Sequence, residues 1–356
     1  MNRIIKYQES ISKFLKTKSC FSTIIKSNPI YESIIANSDH LLPIILLTIL
    51  SNQTKNKDLK SHHGYYMSSG IDILMCIVMI LDNEVYYNNK YGKTNITNFI
   101  TEMPIYISTC VSQNIETMES SVDKEKILKI FHTSINYIQS KIQLILSRNN
   151  MVKYNNPDTN VKKTDIIKFK FNDKTIIKNK YKNLKQVDRQ SMLTYIETKY
   201  GSVCECSFVM GWLLSAGEMK NIDKFEALGI SMGYVLKISN DFYNLERDIK
   251  YSDTLSNNFI VNYGIHACFS IFIENKIKLI EGCLKLDILT NTIQEIFDYI
   301  ENKFDKCIAN TDIELQSLYS DFTDNTNPNT NPNTNKTKPD LINPNPNPLS
   351  DSVANE

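Results

Sequence analysis

The chain has 356 residues, 42% of them hydrophobic, and a formal net charge of +1. It is long enough for one large domain or two small ones and apolar enough for a substantial core. It is too nearly neutral for any global attraction to nucleic acid or acidic membranes. The longest uninterrupted apolar run, 41–50, is half a membrane span and contains Pro43, so no transmembrane segment is expected. The first ten residues show no signal-peptide pattern, and a cytoplasmic protein is expected. Eight cysteines are scattered without a Cys-x-x-Cys pair, which argues against zinc and for reduced thiols. The five histidines form no ligand pattern.

Glycine is scarce and apolar residues recur at spacings of three and four, which predicts an all-α protein. Helices are expected at about 3–17, 31–37, 40–54, 65–83, 97–115, 123–148, 188–216, 220–250, 255–273 and 283–318. Asp123 and Asp188 are candidate N-caps. Residues 151–187 hold ten lysines against three aspartates and read as a basic insertion, a solvated loop or a small hairpin over 166–177. From 323 to 356 the sequence is Asn/Pro-rich low complexity that cannot bury a core, and disorder is expected there. The domain proper is therefore 1–322.

Three short stretches carry the candidate chemistry. The first closes a nearly all-apolar helix: Asp82-Asn83-Glu84-Val85-Tyr86, followed by Lys90-Tyr91-Gly92-Lys93-Thr94. An apolar helix is a buried one, and its polar end would open onto whatever cavity the bundle encloses. The second is Lys199-Tyr200-Gly201, a lysine beside a small residue that lets something approach the backbone. The third is Lys237-Ile238-Ser239-Asn240-Asp241-Phe242-Tyr243-Asn244, continued by Leu245-Glu246-Arg247-Asp248. Asn240 and Asn244 share a helix face one turn apart, with Asp241 adjacent. Taken singly, the first stretch reads as a simple helix end, and the second as readily as a surface lysine beside a packing glycine. The third continues a strongly apolar helix, 228–236, and so reads as lining a cavity rather than an outer face.

Their order and spacing resemble the trans-isoprenyl diphosphate synthases, most of all the geranylgeranyl diphosphate synthase pattern. Asp82-Asn83-x-x-Tyr86 stands where that family has Asp-Asp-x-x-Asp, and 90–94 where it has an Arg-Arg-Gly run. Lys199-Tyr200-Gly201 stands for Lys-Thr-Gly, and 236–245 for Phe-Gln-Ile-Arg-Asp-Asp-Tyr-x-Asn-Leu. Upstream, Ser38 to Pro43 falls where the family has Gly-Lys-x-x-Arg-Pro. The likeness covers about 25–320, apart from the insertion.

The resemblance implies an isoprenoid-synthase-type helical bundle around a central cavity. It also implies the condensation of isopentenyl diphosphate with an allylic diphosphate, a prenyltransferase reaction. Mg²⁺ held between two aspartate-rich helices would grip the allylic diphosphate and neutralise charge on the leaving group. By the same resemblance Asp82, Asn83, Asn240, Asp241 and Asn244 are the metal positions. Lys90, Lys93, Lys199, Lys237 and His40 are the diphosphate contacts, with Lys199 catalytic. A homodimer, or a heterodimer with an active homologue, is implied as well.

Of the six aspartate-motif positions only Asp82 and Asp241 keep a carboxylate. Three readings follow. The chain is a prenyl synthase relative inactive alone, serving as a non-catalytic subunit; or an active or altered prenyltransferase; or a class I terpene cyclase-like enzyme. In the last, Asn240, Asn244 and Asp248 would form a metal triad on one helix face.

Overall fold

A computed structural model describes residues 2–52, 64–118, 123–147, 180–181, 183–252 and 255–309. The N-terminal elements are α1 (Asn2–Thr17), α2 (Ser22–Ser27), α3 (Pro29–Ile35), α4 (Leu41–Asn52) and α5 (Tyr65–Asp82). They are followed by α6 (Glu84–Tyr91), α7 (Lys93–Glu116) and α8 (Lys124–Leu146). After the insertion come α9 (Arg189–Ile196), a π turn (Glu197–Gly201) and α10 (Ser202–Leu214). The C-terminal part is α11 (Ile222–Tyr243), α12 (Leu245–Tyr251), α13 (Phe259–Lys285) and α14 (Asn291–Ala309). Among the described residues no β-strand forms; β pairing is limited to isolated bridges, one of them between Lys185 and Leu255. The all-α expectation holds.

Helices α4, α5, α10 and α11 form the interior. In α4 every residue from Leu41 to Leu50 is buried, as a helix apolar on all sides must be. Helix α5 is buried from Met67 to Val78 and packs on α4, α7 and α10. Its 18 residues are long and apolar enough for a membrane span by composition, which a search for uninterrupted apolar runs missed. Here 72% of that window is buried against neighbouring helices. Helix α11 lies between α10 and α13 and also meets α14.

Two glycines set how closely α11 approaches. A Cβ on Gly233 would come within 2.5 Å of the Gly201 nitrogen, and one on Gly229 within 2.3 Å of Glu205 Cα. Gly229, Gly233, Lys237 and Asp241 follow one another in steps of four, so they share one face of α11. The face that touches the π turn and α10 backbone at its start therefore carries Lys237 and Asp241 further along.

Asp123 caps α8 through the Glu125 and Lys126 N–H groups, and Asp188 caps α9 through Ser191, as the sequence predicts. Helices α2 and α6 are additional to the predicted set. The span predicted as one helix over 220–250 breaks at Asn244, and α13 runs on to Lys285 across the gap expected between 273 and 283. At the end of the basic insertion, Tyr181, Leu184 and Val187 are buried in the core. The suggested hairpin over 166–177 and the tail from 323 lie outside the described residues.

Candidate functional site

Asp82 closes α5 and Asn83 opens α6. The Asn83 side-chain oxygen accepts the Tyr86 N–H at 3.2 Å, which starts the new helix and turns the chain. Facing this corner, α11 presents Lys237 and Asp241 one turn apart. The Lys237 ammonium donates to both oxygens of Asp82, at 2.8 and 2.9 Å, and to Asp241 Oδ1 at 2.7 Å. Its side chain is fully buried, as is that of Asp241, and that of Asp82 is 8% exposed. A buried ammonium is tolerated only when its charge and its donors are matched, and here one lysine meets two carboxylates.

The other donors come from every side. Tyr195 and Tyr200 donate to Asp82 Oδ1 and Oδ2, each at 3.0 Å. Residues five apart sit about 140° apart on an α-helix. The π turn between these two widens the helix and brings both hydroxyls to one carboxylate. Asp241 Oδ2 accepts the Phe259 backbone N–H at 2.7 Å, at the start of α13. Nearby, Asp248 accepts from Asn83 at 2.8 Å, from Asn258 at 3.1 Å, and from Arg247 at 2.8 and 3.0 Å. Three carboxylates and two cations thus interlock the end of α5, the end of α11, α12 and the start of α13.

Burial pushes the Asp241 carboxyl above the usual carboxylate range, with Lys237 pulling against the rise. Burial also raises Asp248, and Arg247 opposes it. Burial disfavours charge on Lys237, but Asp241 and Asp82 outweigh it and the lysine is raised. Both Asp241 oxygens accept hydrogen bonds from N–H donors, which is the pattern of an ionised carboxylate. Burial and the Asp82 charge raise both tyrosines well above their ordinary value, so they remain donors.

Beside the cluster opens a cavity of about 720 Å³. Met75, Met79 and Leu236 give it apolar wall. Lys90, Arg247 and Lys303 line it together with the acidic Asp39, Asp72, Glu295 and Asp298, and Lys303 pairs with Asp39 at 3.0 Å. Asn240 and Asn244 also line it, whereas Asp82 and Asp241 do not. A smaller cavity of about 300 Å³ is lined by Asp82, Asn83, Asp248, Asn257 and Asn258.

The chain is similar in structure to several solved prenyl-chain synthases and transferases. A geranyltransferase from Helicobacter pylori, complexed with magnesium and isoprenyl diphosphate, matches at a TM-score of 0.53 and 14% identity over 86% of this chain and 97% of its own. A geranyltranstransferase from Thermotoga maritima matches at 0.50 and 9% over 84% and 99%. An FPP/GFPP synthase from Zymomonas mobilis matches at 0.50 and 10% over 84% and 99%. This chain has the isoprenyl diphosphate synthase fold. No protein-family model and no curated protein matches its sequence.

Within the isoprenyl synthase fold, the predicted site residues fall into separate groups. Asp82, Asn83, Asp241 and Lys237 come together with Asp248. Asn240 and Asn244 face the large cavity instead, and Asn244 turns its amide back to the Asn240 carbonyl at 3.0 Å. The break at Asn244 also removes the continuous face expected for Asn240, Asn244 and Asp248: the two asparagines line the large cavity and Asp248 the small one. Lys90 is exposed at the cavity rim, 4.9 Å from the Tyr91 ring centroid and 5.7 Å from that of Tyr86. Lys93 is exposed at the start of α7.

Two lysines depart from the diphosphate role. Lys199 is buried and donates to the carbonyls of Leu144, Ile145 and Ser147 at the end of α8. Burial lowers its pKa to about 8. Lys237 is committed to the two aspartates. His40 is also engaged, with Nδ1 2.8 Å from Asp72 Oδ2, while Ser38 donates to Asp72 Oδ1 at 2.6 Å. Asp72 is fully buried in α5.

The residues present do not fit Mg²⁺. The ion takes oxygen ligands at about 2.0–2.1 Å in near-octahedral geometry and favours carboxylates. Each oxygen of Asp82 and Asp241 already accepts from the protein, and a cation lies between the two groups. Among the described residues no three His, Cys, Asp or Glu side chains gather as a metal site.

Sequence reasoning missed Tyr195, Tyr200, Asn258 and the structural part played by Asp72. One signal was available: Asp72 is a carboxylate inside an apolar helix, and such a group demands a partner. The tyrosines gave none, because their convergence depends on the π turn.

Proposed function

We propose that this chain is an isoprenyl diphosphate synthase-like protein that does not elongate prenyl chains on its own and acts as a non-catalytic subunit of an active homologue. The observation that carries this is the Lys237 ammonium bridging Asp82 and Asp241. The condensation implied by the sequence resemblance requires divalent cations to offset charge on the departing diphosphate. Here the carboxylates that would hold them are bridged from within by an ammonium. Asn83, Asn240 and Asn244 offer only neutral carbonyls.

The cavity supports retained binding of an isoprenyl chain. Met75, Met79 and Leu236 suit a hydrocarbon, and Lys90 at the rim suits an anionic head without metal. The partner in this reading is a complete synthase whose own aspartates hold the metal.

The test is incubation of the purified protein with Mg²⁺, isopentenyl diphosphate and an allylic diphosphate, with analysis of prenyl diphosphates and hydrocarbons. No product from the protein alone is expected, together with co-purification of an active synthase from its source. Elongated diphosphates would replace this reading with that of a working prenyltransferase. Volatile terpenes would replace it with a cyclase.

A further inference from the structure

We infer that the Lys237 ammonium is the built-in counter-cation that joins α5 to α11 in place of a divalent ion, and that this side chain keeps a latent divalent-cation site closed. The inference rests on the reading of the site above and goes beyond it, because it concerns what holds the two helices together and what a single substitution would release.

The geometry is that of a ligated cation. An ammonium has three N–H donors, and three carboxylate oxygens lie 2.7, 2.8 and 2.9 Å from Nζ. Asp82 is engaged through both oxygens and Asp241 through one, with the second Asp241 oxygen held by the Phe259 N–H. The rings of Tyr195 and Tyr200 lie 6.0 and 5.5 Å from Nζ, and their hydroxyls fix Asp82. Nothing in this shell is left to rotamer chance.

The lysine is also placed from a distance. The contact of Gly233 with the Gly201 backbone fixes the depth and rotation of α11 one turn before Lys237. The side chain then has one direction to take, toward the end of α5. With the lysine shortened, Asp82 and Asp241 would face each other across the space its ammonium now fills. Two buried carboxylates so placed repel each other unless one takes a proton or a cation enters, and among cations a hard divalent ion is the ligand that such oxygens select.

The experiment is a Mn²⁺ titration of the full chain, followed by the electron paramagnetic resonance signal of free Mn²⁺, with thermal melting in parallel. Wild type, Lys237→Gln and Lys237→Gln combined with Asp82→Asn are compared. Wild type is expected to leave Mn²⁺ free and to melt at the same temperature with or without it. Lys237→Gln is expected to melt lower without metal, to regain stability with Mn²⁺ or Mg²⁺, and to bind Mn²⁺ tighter than wild type by about tenfold or more. Adding Asp82→Asn is expected to abolish the gain.

Should Lys237→Gln not fold in metal-free buffer, refolding from denaturant with and without Mn²⁺ gives the same reading: folding only with metal supports the inference, and failure in both overturns it. Wild type that binds Mn²⁺ and loses it on Asp82→Asn also overturns it, as does a Lys237→Gln protein that takes up no more metal than wild type. These outcomes are separable from failure of the proposed function. Elongation by the wild-type protein, with Mn²⁺ still left free by it, would end that reading while leaving the inference about Lys237 standing.

Discussion

At Asp82 the arrangement is a matter of lone pairs. Its two oxygens take Lys237, Tyr195 and Tyr200, and removing one hydroxyl leaves a buried acceptor poorly satisfied. Tyr195→Phe and Tyr200→Phe are each expected to cost about 1–3 kcal/mol in denaturant unfolding. The pair should be non-additive, because both act on one carboxylate. Asp241→Ala leaves the ammonium paired with Asp82 but strips the buried Phe259 N–H of its acceptor, and is likewise expected to cost about 1–3 kcal/mol.

His40 gives a pH-dependent counterpart. Burial opposes its charge, but the Asp72 carboxylate outweighs burial and raises the imidazole above its ordinary value of about 6.5. A raised histidine contributes stability that is fully present below the unfolded pKa and is lost as pH rises through the folded one. The melting difference between wild type and His40→Gln is therefore expected to be larger at mildly acidic pH than in alkaline buffer; a difference independent of pH would contradict the ion pair. At this scale the sequence made Asp82, Asp241 and Lys237 visible as positions, yet it assigned Lys237 to a diphosphate. The four-residue spacing of Lys237 and Asp241 was the available sign of an internal pair. The share taken by Asp82 comes from another helix and has no local signature.

Among the elements, the π turn and α11 decide whether the cluster forms. Gly233→Ala would press a methyl group into the Gly201 backbone, where no flexible side chain can yield. It is expected to cost about 1–3 kcal/mol and to loosen the Lys237 bridge, read as faster hydrogen exchange of the Phe259 amide. Asp188→Ala, by contrast, removes an ordinary cap and should cost about 1 kcal/mol without disturbing that amide. The long amphipathic helices and both caps were legible because periodicity and capping chemistry are local. Helix α6 was not, since it is short and begins at an asparagine turn that reads equally as a loop. The break at Asn244 was hidden for a similar reason: nothing before it interrupts the helical pattern, and the chain turns so that Asp248 can reach Asn83 and Asn258.

For the molecule as a whole, the order of three weak motifs conveyed the fold better than any one of them conveyed a site. Order and spacing along a chain constrain which helices face each other, and α5 and α11 do meet as that order implies. What fills the space between them depends on side-chain detail that erosion of the motifs had already changed. Lys199 shows the same limit: it keeps its place in the motif order while its ammonium caps α8. The fold that results holds a cavity of about 720 Å³ while Lys237 bridges its acidic pair outside the cavity wall.

The most direct measurement is an anomalous diffraction map at the manganese edge, from crystals grown with excess MnCl₂ and a non-hydrolysable isoprenyl diphosphate analogue. The account predicts Lys237 Nζ between Asp82 and Asp241, with no anomalous peak within bonding distance of either carboxylate. A manganese peak bridging the two, with the lysine side chain displaced, would contradict it.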